Sequence, residues 1–415
     1  MTTRQDAVAL TDSDFRALEF EAIDLFSPGA PINEDDLFAG RAPQISKIIE
    51  AVLQRGKHAI VYGERGVGKT SLARTFTLRI LKPAGRTVSS VLVNCDPGDS
   101  FTSLWRKVFK DLSSPDGNLA DDYAGDITPD DIRREFSTFE LTTTAVVILD
   151  EFDKLQDQLA RSLIANTIKA LSDHSVRATI VLVGVASSVA DLISEHQSIS
   201  RALTQVQMPR MNNTELQEII DKRLRKLGMT IDKPALAQIV ALSRGLPHYT
   251  HLLGQFSARK TLQAHALNIE EAHVELAKKE CLREVDQSIR EQYHSATHSP
   301  RGGNIYKEVL LACALAEPDE FGFFPPKAIE SPLSIIMSKR YDVPMFGVHL
   351  KRLCESDRGS ILEFVGSPRR FRYRFVEPLM QPYILLRGVA DGIIDKATLD
   401  ETIPNYLQPR LSSEF

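Results

Sequence analysis

Fourteen residues, His58 to Ser71 (HAIVYGERGVGKTS), constrain this 415-residue chain more than any other stretch. His58 to Tyr62 is apolar and β-branched and reads as a short buried strand. Gly63 opens the loop Gly63-Glu64-Arg65-Gly66-Val67-Gly68-Lys69-Thr70, a gapless match to G-x-x-x-x-G-K-[ST]. Glycines at 63, 66 and 68 permit backbone conformations that turn N–H groups towards a phosphate chain. In such a loop Lys69 reaches the β- and γ-phosphates and the Thr70 hydroxyl holds Mg²⁺. A helix pattern follows, with Leu72, Ala73, Phe76 and Ile80 on one face, and its positive N-terminal end adds to the attraction for phosphate. Strand, glycine loop and helix in this order predict a nucleoside triphosphate site.

A second constraint lies about 80 residues further on. Thr144 to Leu149 (TAVVIL) is a continuous apolar run closed by Asp150-Glu151, the pattern of a buried parallel strand ending in acids. Beside a P-loop, Asp150 is suited to bind Mg²⁺, and Glu151 to orient and deprotonate an attacking water. Further strands are expected at 90–95, 179–185 and 202–208, with helices at 101–112 (holding the sole tryptophan, Trp105), 155–171 and 187–199, and an exposed loop over 113–130. Strands alternating with amphipathic helices predict an α/β fold: a parallel sheet with helices on both faces and the ligand at the carboxyl ends of the strands. Just upstream of the P-loop strand, Gly40-Arg41 offers either a lining for base and ribose or a plain surface cation.

The periodicity divides the chain into an arm (1–34), the α/β domain (35–210), an all-helical domain (211–293), a polar linker (294–304), a further domain (305–388) and a polar tail (389–415). The arm carries an amphipathic piece with Phe15, Leu18, Phe20, Ile23 and Leu25. Domain 305–388 reads as three helices followed by two strands, the order of a winged helix. Its third helix offers His349, Lys351 and Arg352, and its hairpin Arg369, Arg370, Arg372 and Arg374, alternating with aromatics. From Arg301 to Glu377 there are 12 Lys or Arg against 10 Asp or Glu, a weak basic balance for a DNA-binding domain. Duplex DNA and a protein effector both remain open as partners.

The net charge of −5 gives no global attraction to nucleic acid, so DNA binding would need a local basic patch. Four scattered cysteines without a C-x-x-C pair argue against a zinc site or disulfide framework. No apolar run approaches the ~18 residues of a membrane span, and the N-terminus lacks an apolar leader core, so a cytoplasmic protein that does not enter the membrane is expected.

With P-loop, acid-tipped strand, late arginine and helical lid in one chain, the sequence resembles the AAA+ ATPases, in particular the initiator-type branch found in origin-recognition and helicase-loading proteins. Some bacterial transposition and defence ATPases look similar. The specific motifs cover roughly residues 35–290, and architecture alone carries 300–388. The resemblance implies ATP with Mg²⁺, buried at the interface of a homo-oligomer. Gly63 through Ser71 match the Walker A loop, which assigns Gly63, Gly66, Val67, Gly68, Lys69, Thr70 and Ser71 to the phosphates, and Asp150-Glu151 match the Walker B acids. Arg201 matches an arginine finger reaching into a neighbour's site, with Arg210 as the competitor. The sequence departs from the family at two sensors. The fourth strand ends without the usual Asn, leaving Ser187 or Ser188, and the lid turn Gly245-Leu246-Pro247 is followed by His248 instead of arginine, with Arg244 as a substitute.

Overall fold

The computed structural model describes residues 10–28, 39–80, 87–112, 123, 125–139, 143–185, 199–298, 304–319, 321–367, 370–395 and 398–399. The chain forms two compact units, Pro31–Pro209, and Met1–Ala30 together with Arg210–Phe415. Helix α1 (Asp12–Leu25) belongs to the latter.

The Pro31–Pro209 unit runs α2 (Ala42–Leu53), β1 (His58–Tyr62), α3 (Lys69–Ile80), β2 (Thr87–Asn94), α4 (Phe101–Asp111), α5 (Pro129–Thr138), β3 (Thr143–Asp150), a 3-10 turn (Phe152–Lys154), α6 (Gln158–Asp173), β4 (Ala178–Gly184) and β5 (Leu203–Gln207). The five strands form one parallel sheet in the order β2-β3-β4-β1-β5. β3 and β4 are buried along almost their whole length, as continuous apolar strands covered on both faces must be. On one face Ala145, Val147 and Leu149 join the core beneath α4, α5 and α6; α2 and α3 pack against the strands as well. The order matters for the site: β4 lies between the P-loop strand β1 and the acid-tipped β3, and all three end at the same edge.

Helix α5 is absent from the sequence expectation, which ran a loop to residue 130. It starts at Pro129, with Thr128 as cap: the Asp131 amide donates to the Thr128 hydroxyl at 3.3 Å and the Thr128 amide to the Asp131 carboxylate at 2.9 Å. Its Phe136 closes on Trp105 with ring centroids 6.0 Å apart, sealing that side of the sheet. Of the expected helix at 187–199, residues 187–198 lie outside the described residues.

The other unit continues with α7 (Asn213–Lys226), β6 (Thr230–Ile231), α8 (Lys233–Ser243), α9 (Pro247–Gln263), β7 (Asn268–Ile269), α10 (Glu271–Glu284), α11 (Gln287–Thr297), α12 (Tyr306–Leu315), α13 (Lys327–Ile336), α14 (Val343–Arg352), β8 (Leu362–Val365), β9 (Arg372–Phe375) and α15 (Met380–Ala390). α9 is its hub, buried from Tyr249 through Ala258 and packed by α1, α7, α8 and α10. The helical lid also holds a two-residue parallel pair, β6 with β7. The expected linker at 294–304 begins later than its polarity suggests: α11 runs to Thr297, with Ala296 and Thr297 buried and Tyr293 edge-on to Tyr383 of α15. In the C-terminal part, β8 and β9 form an antiparallel hairpin, and Phe324 bridges Tyr373 from the other side. A helix, a bridge, two helices and a hairpin thus follow one another in this part of the chain.

The arm docks on the lid through α1. Phe15, Leu18, Ala22 and Leu25 turn inwards, whereas Phe20 and Ile23, part of the amphipathic piece read from the sequence, turn out to solvent. The carbonyls at the end of α1 are captured by lid side chains: Arg223 Nε donates to Leu25 O at 2.9 Å and Gln255 to Ile23 O at 3.2 Å. Gly254 permits the approach, because a Cβ there would stand 2.6 Å from the Phe26 ring.

Candidate nucleotide-binding site

The P-loop leaves β1 with Gly66 and Gly68 at φ +78° and +93°, values that side-chain-bearing residues rarely adopt. Gly63 serves close approach: a Cβ there would lie 2.4 Å from Met208 O, where the Met208 amide donates to Tyr62 O at 2.7 Å. The Leu72 amide donates to Gly68 O at 2.9 Å, so α3 begins at the loop and carries Lys69, Thr70 and Ser71 in its first turn. Lys69 Nζ donates to the carbonyls of Gly63 (3.0 Å) and Glu64 (2.8 Å). Burial pushes its ammonium down to about 8, against the opposing pull of Asp153 and Asp150. A cation desolvated in this way gains strongly from an incoming anion.

Asp150 ends β3 and is 2% exposed. Its Oδ1 accepts the Glu151 amide at 2.8 Å, and the Thr70 hydroxyl hydrogen-bonds the same carboxyl group. Oδ2 is buried without a protein partner, and burial raises the carboxyl pKa above its ordinary value. An orphaned carboxylate oxygen next to a hydroxyl is a hard-oxygen donor set, and it fits Mg²⁺. Glu151 follows at φ +54°, its carboxylate 2.8 Å from Lys154 Nζ.

Two residues near the loop do work that the sequence does not announce. Arg41 is 1% exposed and donates through Nη2 to Val67 O at 3.1 Å, so it braces the P-loop from behind. Its burial rules out the plain surface cation that was one of the two roles read from the sequence. Asp153 is the leading charge that favours the Lys69 ammonium; the acidic run D-E-F-D was the available signal.

Arg201 is exposed just before β5, its carbonyl accepting Lys57 Nζ at 2.6 Å. β5 pairs parallel with β1, Leu203 beside His58 and Gln207 beside Tyr62. Arg201 therefore lies at the amino edge of the sheet, a five-residue strand (about 17 Å) from the edge carrying the P-loop. The competitor Arg210 is engaged within its own unit, donating to Arg244 O at 3.3 Å and to Gln381 Oε1. Arg244 is 2% exposed and donates to Ala316 O at 3.0 Å, which ties the lid to the C-terminal domain. His248 Nδ1 lies 2.8 Å from Pro28 O; a carbonyl only accepts, so Nδ1 carries the proton. Burial lowers its pKa, and the ring engages the arm at Pro28. Ser187 and Ser188 lie outside the described residues.

Of the DNA-binding candidates, Lys351 and Arg370 are exposed, and Arg369 lies outside the described residues. The others meet acids. Arg352 pairs with Asp357 at 2.7 Å, Arg372 with Asp319 at 2.6 Å, and Arg374 with Glu363 at 2.5 Å, the last two also lying over the Phe323 ring. Among the described residues no helix is long and apolar enough to cross a membrane.

Residues 31–311 match the family described as Novel STAND NTPase 1. ORC1-type DNA replication protein 2 of Thermoplasma acidophilum is 28% identical over 203 residues, which cover 46% of this chain and 48% of that protein. The match thus spans about half the length of the curated relative. The ORC2 protein of Aeropyrum pernix, solved as ADPNP-ADP complexes, has a TM-score of 0.50 and 16% identity, covering 91% of this chain and 96% of that one. At that identity the likeness speaks for the fold, a parallel-sheet AAA+ architecture of the origin-recognition type. The P-loop of this sheet and a family match over more than half the chain agree: the protein belongs to the Novel STAND NTPase 1 (nSTAND1) family.

Proposed function

We propose that this chain is an ATP-binding and ATP-hydrolysing switch that assembles with copies of itself, each site completed by Arg201 of a neighbour. One observation carries the reading: at the shared edge of β1 and β3, a desolvated Lys69 and a Thr70–Asp150 pair with an orphaned carboxylate oxygen converge on the P-loop. Loop amides and Lys69 hold the phosphate chain, which places the γ-phosphoryl group before β3. Mg²⁺ held by Thr70 and Asp150 would draw charge off the phosphate oxygens. Glu151 leaves Lys154, accepts a proton from the attacking water, and the bond to the leaving ADP breaks as inorganic phosphate forms. Arg201, before β5 at the amino edge of the sheet, is too far from its own site, and its permanent charge and planar donor fork suit a γ-phosphate presented by the next subunit. The chain is expected to work in the cytoplasm.

Two partners compete for the C-terminal domain. Duplex DNA has support in the name of the Thermoplasma relative. The acid-paired arginines 352, 372 and 374, and the outward Met345 and Val348 of α14, 46% and 69% exposed, support a protein surface better. The test is turnover and mass of the purified chain with and without ATP and a short duplex. ATP-dependent assembly with hydrolysis supports the switch, and a monomer that neither binds nor hydrolyses ATP refutes it. Salt-sensitive duplex binding abolished by Lys351→Ala/Arg370→Ala would favour DNA over protein.

A further inference from the structure

The C-terminal domain carries a groove of about 850 Å³ between the start of α13, the outer face of α14 and the hairpin. Pro344, Val348 and Phe371 supply apolar walls, and Lys327, Lys351 and Arg370 supply cations. No lining residue is acidic, and these three cations form no ion pair among the described residues. The same unit exposes a surface of opposite character. α1 turns Phe20 (73% exposed) and Ile23 (42%) to solvent at i, i+3 spacing, and carries five acids against one base, with Glu19, Glu21 and Asp24 around the apolar pair. Those three carboxylates also form no ion pair among the described residues. A different face of α1 packs on the lid, so this second apolar face is surplus to folding the arm.

We infer that the exposed acidic face of α1 in one copy of the chain docks in the apolar, cation-rimmed groove of a second copy. An amphipathic helix laid into a groove uses anchors at i and i+3 or i+4, which Phe20, Ile23 and Asp24 provide. Carboxylates facing Lys327, Lys351 and Arg370 set the register and speed encounter. Repeated with one polarity from copy to copy, the contact joins subunits head to tail in a ring or filament. An Arg201 acting in trans also needs a head-to-tail array, and the inference rests on that assembly reading.

The test mixes full-length Phe20→Cys chain with full-length Val348→Cys chain under mild oxidation, with Leu276→Cys, another exposed apolar position, as the control partner. Docking raises the yield of covalent dimer about tenfold over the control, through local concentration of the two thiols. A yield equal to the control overturns the inference. Independently, Lys327→Glu/Lys351→Glu weakens assembly about tenfold, and Glu21→Lys/Asp24→Lys in the same chain restores it. Reversal without effect, or without restoration, also overturns it. ATP-dependent assembly left unchanged by Lys69→Ala, with the Phe20–Val348 cross-link intact, would count against the nucleotide reading alone. Duplex DNA protecting Lys351 and Arg370 with no cross-link would make the groove a DNA face and sink the proposal.

Discussion

At the scale of single residues, Glu151 occupies the left-handed region that costs a non-glycine residue about 1 kcal/mol. The conformation is held by its own amide on Asp150 Oδ1, and its carboxylate pairs with Lys154. Such strain beside a phosphate site is expected where a side chain must be aimed. Glu151→Gln keeps the backbone and the acceptor oxygen but cannot take a proton. ATP affinity should stay within about twofold while turnover falls by roughly 10²–10⁴, measured by filter binding and phosphate release; normal turnover would remove Glu151 as the base. Gly63→Ala acts through sterics, since the added methyl meets Met208 O at 2.4 Å. A cost of about 1–3 kcal/mol is expected, seen as a lower denaturant midpoint by Trp105 fluorescence. The P-loop and the acids of β3 were legible because their chemistry needs fixed residue types at fixed spacing. The brace from Arg41 to Val67 was not, because its partner is a carbonyl 26 residues away that only the folded backbone presents.

At the scale of elements, sequence period served the buried strands well and failed where local chemistry or tertiary burial decides. α5 follows Asp, Gly and Pro that argue for a loop, yet T-P-D-D carries its own start signal in cap and first-turn proline. α11 ends in H-S-A-T-H, polar enough to read as linker, and is helical because Tyr293, Ala296 and Thr297 are buried. α1 shows the converse, since Phe20 and Ile23 fit a plausible face and nothing local says which face the lid will take. That helix depends on the lid for its terminal carbonyls. Arg223→Met preserves bulk but deletes the donor to Leu25 O, and leaving that carbonyl unsatisfied should cost about 1–3 kcal/mol. Hydrogen exchange should show α1 amides losing protection while those of β3 and β4 are unchanged. Unchanged α1 protection would mean that apolar packing alone holds the arm.

At the scale of the whole molecule, each unit buries a neutral histidine, so acid should loosen both. In the sheet unit His58 is fully buried, its Nδ1 accepts the Ile180 amide at 2.9 Å, and burial lowers its pKa to about 4. In the other unit burial holds His251 well below the ordinary value. Below pH 6.5 the unfolded chain binds protons that the folded chain refuses, so stability falls with falling pH, by up to about 1.4 kcal/mol per unit per histidine. For His58 the loss begins near 6.5 and is complete near 4, about 3 kcal/mol in all. Trp105, the single tryptophan, is buried in the sheet unit and reports on that unit alone. His58→Val should lower stability at pH 7 by about 1–2 kcal/mol, because the Ile180 amide loses its acceptor. It should also flatten the Trp105-detected decline between pH 6.5 and 4, while acid still weakens α9 and its neighbours by exchange. If the native chain held constant Trp105-detected stability across that window, the neutral, hydrogen-bonded state of His58 would be wrong, and with it the β1–β4 contact that positions the P-loop strand.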